Sequence, residues 1–189
     1  DGFGLYAAWQ ADPGRRNRGA RASIARGERI FNQKQFTIDN VNGLNLFAFD
    51  PLGANPMSNG TCTVCHDAPN VGHHSKKLAL NIGVSDANPP VLDVSPLPLF
   101  AVSCTDSSGP LQNYVFHVTD LGRAMISGKC ADVGKVKGPM LRGLGARAPY
   151  FHNGSAATLE DVVNFYNQRF QIGLTDADKE DLVAFLKSL

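Results

Sequence analysis

The residue pattern predicts a mainly α-helical domain with long irregular loops and at most a short β-hairpin. Three observations carry this. Apolar residues recur at helical spacing near the start and again near the end of the chain. Two of those runs open with a hydroxyl residue followed by acids, the usual start of a helix. Between them, many of the nineteen glycines and eleven prolines fall between residues 43 and 139, where they break any long regular element.

Residues 1–19 are polar, contain Asp12-Pro13-Gly14 and Arg15-Arg16, and show no period, so they read as an N-terminal arm ahead of a domain at 20–189. From Ala20, the residues Ala22, Ile24, Ala25, Ile30 and Phe31 predict a helix over about 20–32. Gly27 is its one weak residue. Residues 33–60 hold Asn40, Asn42-Gly43, Asp50-Pro51 and Asn55-Pro56, which predict a loop. Beyond residue 67, Pro89-Pro90, Pro96 and Pro98 predict another, broken by short strands at 78–82 and at 114–118, where Tyr114, Phe116 and His117 take ordinary packing roles. Thr158-Leu159-Glu160-Asp161 opens a short helix with Val162, Val163, Phe165 and Tyr166. Thr175-Asp176-Ala177-Asp178 opens a terminal amphipathic helix with Leu182, Phe185, Leu186 and Leu189.

The 189 residues, 43% hydrophobic and 19% charged, suit one globular domain. A net charge of +1 argues against nucleic acid or an anionic membrane surface as partner, because such binding needs clustered Lys and Arg. No apolar run reaches the about eighteen residues of a membrane span. With no signal-peptide pattern at Asp1, the numbering suits an exported product whose signal has been removed.

Cys62-Thr63-Val64-Cys65-His66 is a C-x-x-C-H string. In this pattern two thiols bond the haem vinyl groups and the adjacent imidazole reaches the iron, a c-type attachment. A disulfide, a zinc half-site and a thioredoxin-like pair are the alternatives. Zinc wants a second ligand pair, and Cys104 and Cys130 stand far apart without one. A redox pair normally sits between strand and helix, whereas Asn59-Gly60 precedes this string and Asp67-Ala68-Pro69-Asn70 follows it. The motif therefore predicts one covalent haem c, whose apolar porphyrin serves as core for the loops, and with it a cytochrome c-like domain. Cys104 and Cys130 are expected to form a disulfide in an oxidising compartment, worth about 3.5 kcal/mol on the chain-entropy model.

Residues 137–144, Lys-Gly-Pro-Met-Leu-Arg-Gly-Leu, lead into Ala146-Arg147-Ala148-Pro149-Tyr150-Phe151-His152-Asn153-Gly154 and Thr158-Leu159-Glu160. In that order these pieces resemble the second haem domain of bacterial dihaem cytochrome c peroxidases and of the maturation enzyme MauG. The resemblance extends back through Arg26-Gly27-Glu28 and the C-x-x-C-H string and forward to Leu182-Val183-Ala184-Phe185-Leu186. It implies a periplasmic, bacterial protein and a redox partner protein. Active members have two haems, whereas this sequence has one C-x-x-C-H. The resemblance is thus to the electron-entry domain, and electron transfer by a monohaem cytochrome is the expected function. A peroxidase-like or MauG-like oxidoreductase with a displaceable sixth ligand is the alternative, and a gas or redox sensor the third.

The resemblance also implies site residues. Arg142 lies in the piece that runs along the haem edge, where it can pair with a propionate. The backbone carbonyls at Arg147 and Pro149 match a calcium site. Tyr166 matches the position that carries the sixth iron ligand, Met in the peroxidases and Tyr in MauG. Met140 competes with it on chemistry, since it follows a proline and a thioether raises the potential of an electron-transfer haem. His152 reads as a hydrogen-bonding structural residue. His73 and His74 stand too near the motif to reach the opposite haem face.

Overall fold

The computed structural model describes residues 2–10, 19–46, 55–67, 78–105 and 109–189. Its helices are α1 (Ala7–Gln10), α2 (Ala20–Gln33), α3 (Ala124–Ser127), α4 (Leu159–Arg169) and α5 (Asp176–Lys187). α2 and α5 cross and form the frame. Ala25, Gly27, Glu28 and Phe31 are the buried face of α2, against Leu182, Val183, Phe185 and Leu186 of α5. Gly27 sits where the two backbones meet: a Cβ built there would stand 2.0 Å from the Asp181 carbonyl oxygen. The residue that weakens the helix locally is the one that lets it pack.

Both later helices begin as their sequences predict. Thr158 accepts from the Asp161 amide at 3.1 Å while Asp161 accepts from the Thr158 amide at 2.9 Å, and Thr175 and Asp178 repeat the reciprocal pair. Each box satisfies amides that the first turn leaves without partners.

Strand content exceeds the expected short hairpin. Among the described residues, three antiparallel two-stranded sheets form: β1 (Phe36–Ile38) with β2 (Met57–Gly60), β3 (Ala79–Leu80) with β6 (Val136–Lys137), and β4 (Phe100–Ser103) with β5 (Val115–Val118). The first two join segments far apart in sequence, and such pairing leaves no local period to read.

One apolar cluster runs from Phe3 and Phe31 through Leu80, Leu141, Tyr150, Leu159 and Val163 to Phe185. The described residues of 84–137 contribute no buried member to it, although half-buried Leu92 packs against it; Val84, Leu111, Val118 and Val133 are buried within the lobe this segment forms. There Cys104 and Cys130 form the expected disulfide, with Cα atoms 5.9 Å apart. Residues 2–10, read from sequence as part of an arm, lie on the α2–α5 frame. Phe3 is buried against Phe31 and Phe185 with centroids 5.4 and 5.7 Å away, and the Tyr6 amide donates to buried Glu28 at 3.1 Å.

Candidate haem-binding site

The C-x-x-C-H string leaves β2 as a tight turn packed on α2, its first three residues forming a 3-10 segment, Cys62–Val64. Cys65 N donates to Cys62 O at 3.3 Å and His66 N to the same oxygen at 3.0 Å. Helical winding of this kind brings residues i, i+3 and i+4 to one side, so both thiols and the imidazole share a face. Cys62 and Cys65 are half-buried and pack against the main apolar cluster.

Burial pushes the Cys62 thiol up to about 12, with the Cys65 charge adding to it. The sulfur therefore keeps its proton at neutral pH, and a thiol adds across a vinyl double bond with no atom left over. Burial lowers His66 to about 4, opposed by the Pro139 carbonyl beside it. The Pro139 carbonyl lies close without completing a hydrogen bond to Nδ1, which is buried and has no partner. A neutral imidazole is the form that ligates metal. The protonated Cys62 thiol, the Cys65 thiol beside it and a neutral imidazole on one face of an apolar wall fit haem c, and these three residues would hold it.

Tyr166, on α4, is half-buried beside the same turn. Burial, then the charges of Cys65 and Cys62, push its phenol above the ordinary range, so the ring shares the low-dielectric space of the two sulfurs. Its ring stacks on Phe170 at 6.2 Å and 22° and meets Phe165 at 5.7 Å and Phe151 at 6.2 Å. Arg169 lies over Phe170 at 4.6 Å.

Met140 is placed differently. It is 40% exposed on a loop, and its carbonyl accepts from Arg147 Nη1 at 2.7 Å. The structure brings Tyr166 to the cysteines and leaves Met140 partly in solvent. Arg142 is exposed, as are Arg147 and Pro149, the residues matched to a calcium site. Among the described residues, no group of three His, Cys, Asp or Glu side chains could hold a metal ion. His73 and His74 lie outside the described residues.

His152 plays the structural part expected of it. Its Nδ1 pairs with the Asp120 carboxylate, and the next residue, Asn153, donates to Val84 O at 3.2 Å and Thr119 Oγ1 at 3.0 Å. Together they fasten the loop 150–156 to the lobe. Inside that loop Phe151 has φ 64°, a left-handed conformation that costs a bulky side chain on the order of 1–2 kcal/mol. Sequence reasoning missed Pro139, Phe151 and Phe170 as neighbours of the site. Only the Pro in the Gly-Pro-Met piece stood out as a signal.

Residues 136–172, which contain Pro139, Phe151 and Tyr166, match a family model described as RoxA-like, cytochrome c-like. The protein is 39% identical over 137 residues to cytochrome-c peroxidase IdrP2 of Denitromonas iodatirespirans, covering 69% of this chain and 36% of that protein. The chain is a relative of the cytochrome c peroxidases. The peroxidase Ccp of Escherichia coli is 40% identical over 72 residues, 37% of this chain and 15% of that one. This chain therefore spans about a third or less of the length of these peroxidase relatives. A crystal structure of a MauG-like protein associated with microbial copper homeostasis aligns with TM-score 0.47 and 20% identity, covering 97% of this chain and 46% of that chain. The family match at residues 136–172 gives this chain a cytochrome c-like domain, and that domain implies haem c.

Proposed function

We propose that the chain binds one haem c through thioethers at Cys62 and Cys65, that His66 and Tyr166 would hold its iron, and that it works in periplasmic electron transfer. The carrying observation is the position of Tyr166, half-buried beside both motif sulfurs, while Met140 is 40% exposed on a loop. When bound, haem c supplies a one-electron iron couple. The residues do the rest. The turn at 62–66 fixes the attachment points, and the imidazole lies beside the Pro139 carbonyl. The apolar cluster excludes water, and Tyr166, whose buried phenol would give up its proton only to the iron, would stabilise the ferric state and lower the potential. Arg142, which is exposed, would pair with a propionate, as the family resemblance implies, and a redox partner protein would dock there.

The names of the relatives favour a second reading, in which this domain feeds electrons to a peroxidase reaction. Replacing Tyr166 with Phe tests the first reading. The ferric spectrum is expected to change and the midpoint potential to rise. An unchanged spectrum, with Met140→Ala turning the haem high-spin, would overturn the assignment. Peroxide turnover by the purified chain with a reduced electron donor would decide for the second reading.

A further inference from the structure

Three aromatic rings meet Tyr166, and they differ in origin. Phe165 belongs to α4 and Phe170 caps its end, so both move with the helix that carries Tyr166. Among the described residues, Phe151 alone brings a ring to Tyr166 from another segment. It also packs edge-on to fully buried Phe165 at 5.1 Å.

Phe151 sits there in the left-handed conformation, at φ 64°. The loop holds it on both sides. Tyr150 N donates to Ala156 O at 2.7 Å, and the Tyr150 hydroxyl donates to Leu144 O at 3.1 Å. On the other side His152 pairs with Asp120 and Asn153 Nδ2 donates to Val84 O. A strained residue persists only where its surroundings over-determine it, and such residues gather at functional sites. A half-buried tyrosine on a helix face keeps rotamer freedom unless a neighbour removes it.

We propose that Phe151 is a positioning residue: the fastened loop 150–156 presses its ring against Tyr166 and holds the phenol oxygen in one direction for the iron. This rests on the reading of Tyr166 as an axial ligand. It also assigns a task to the Tyr-Phe-His-Asn-Gly run, in which the residues flanking Phe151 fasten the loop and the phenylalanine acts.

The haem-loaded protein and three variants test it. Phe151→Gly removes the ring while accepting the positive φ, so the loop keeps its backbone. Phe151→Tyr keeps the ring. Tyr166→Phe is the control for ligation. The expected result is that Phe151→Gly retains the helical circular dichroism, while its phenolate-to-iron band weakens and shifts and its midpoint potential rises. Phe151→Tyr should restore both. A merely structural role would lower the melting temperature and leave band and potential as in the parent, and that result overturns the proposal. If Tyr166→Phe itself leaves the ferric spectrum unchanged, the ligand reading fails and the proposal with it. A changed Tyr166→Phe beside an unchanged Phe151→Gly sinks the positioning role alone. Should Phe151→Gly not load haem, Phe151→Leu, which keeps apolar bulk at the parent's own strain, is read by the same two signals.

Discussion

The α2–α5 frame and the lobe at residues 84–137 keep their shape by different means. In the frame, apolar faces meet across a helix crossing, and the aromatic rings of Phe3, Phe31 and Phe185 interlock. The lobe buries little. Phe100, Tyr114, Val115, Met125 and Ile126 are all exposed, and its cohesion comes from a disulfide, a four-residue strand pair and loop hydrogen bonds. The contrast follows from composition. A helix presents a continuous apolar stripe that another helix can cover, whereas Pro-rich segments cannot and need a covalent tie or a cofactor. The cytochrome motif lies on the frame side of this division, so the two regions should respond separately to damage.

The largest effect should come from the motif. Cys62→Ala with Cys65→Ala is expected to abolish covalent haem and cooperative folding together, as measured by haem staining of a denaturing gel and by thermal melting. A cooperative fold without haem would show that the frame needs no cofactor. Next in size is the lobe. Cys104→Ser with Cys130→Ser should cost about 3.5 kcal/mol on the chain-entropy model while leaving the haem spectrum intact. Denaturant titration followed at the haem band and by far-ultraviolet dichroism checks it, and a disturbed haem band would mean the two regions are coupled.

Gly27→Ala strikes the frame at its closest approach. The added methyl meets the Asp181 carbonyl and Phe185 Cβ, 2.0 and 2.7 Å away, and overpacking of this kind should cost about 3 kcal/mol. The gain in helix propensity, roughly 1 kcal/mol, is too small to offset it. A melting temperature at or above the parent's would refute the close crossing.

The smallest effect is one of pH. Burial works to raise the Asp181 carboxyl, but hydrogen bonds from Arg26 at 2.6 Å and Ser23 at 2.6 Å outweigh it and leave the group below the ordinary range. A depressed carboxylate contributes stability that is complete above the unfolded value of about 3.9 and is lost as the pH falls through the folded value. The advantage of the parent over Asp181→Asn, about 1–2 kcal/mol at neutral pH, should therefore shrink only below about pH 4. Unfolding at stepped pH measures it, and an advantage that persists at pH 2 would contradict the sign.

By itself the sequence determined the three long helices, the caps of α4 and α5, the disulfide partners and the haem motif, because each is a matter of spacing or local chemistry, while the short α1 and α3 escaped it. The apolar period placed α2 within a residue, the Thr-x-x-Asp boxes placed α4 and α5, and two leftover cysteines had only each other. For the sixth ligand it offered Tyr166, by family resemblance, and Met140, by its chemistry, beside an open site. Only the tertiary structure shows how differently those two are placed, because burial belongs to the fold: one lies beside the sulfurs and the other is 40% exposed. The same holds for β1 with β2 and β3 with β6, for Phe3 in the core, for Gly27 at a backbone contact and for Phe151 against Tyr166. Each joins residues that lie far apart along the chain, and a local pattern carries no record of which distant segment will meet it.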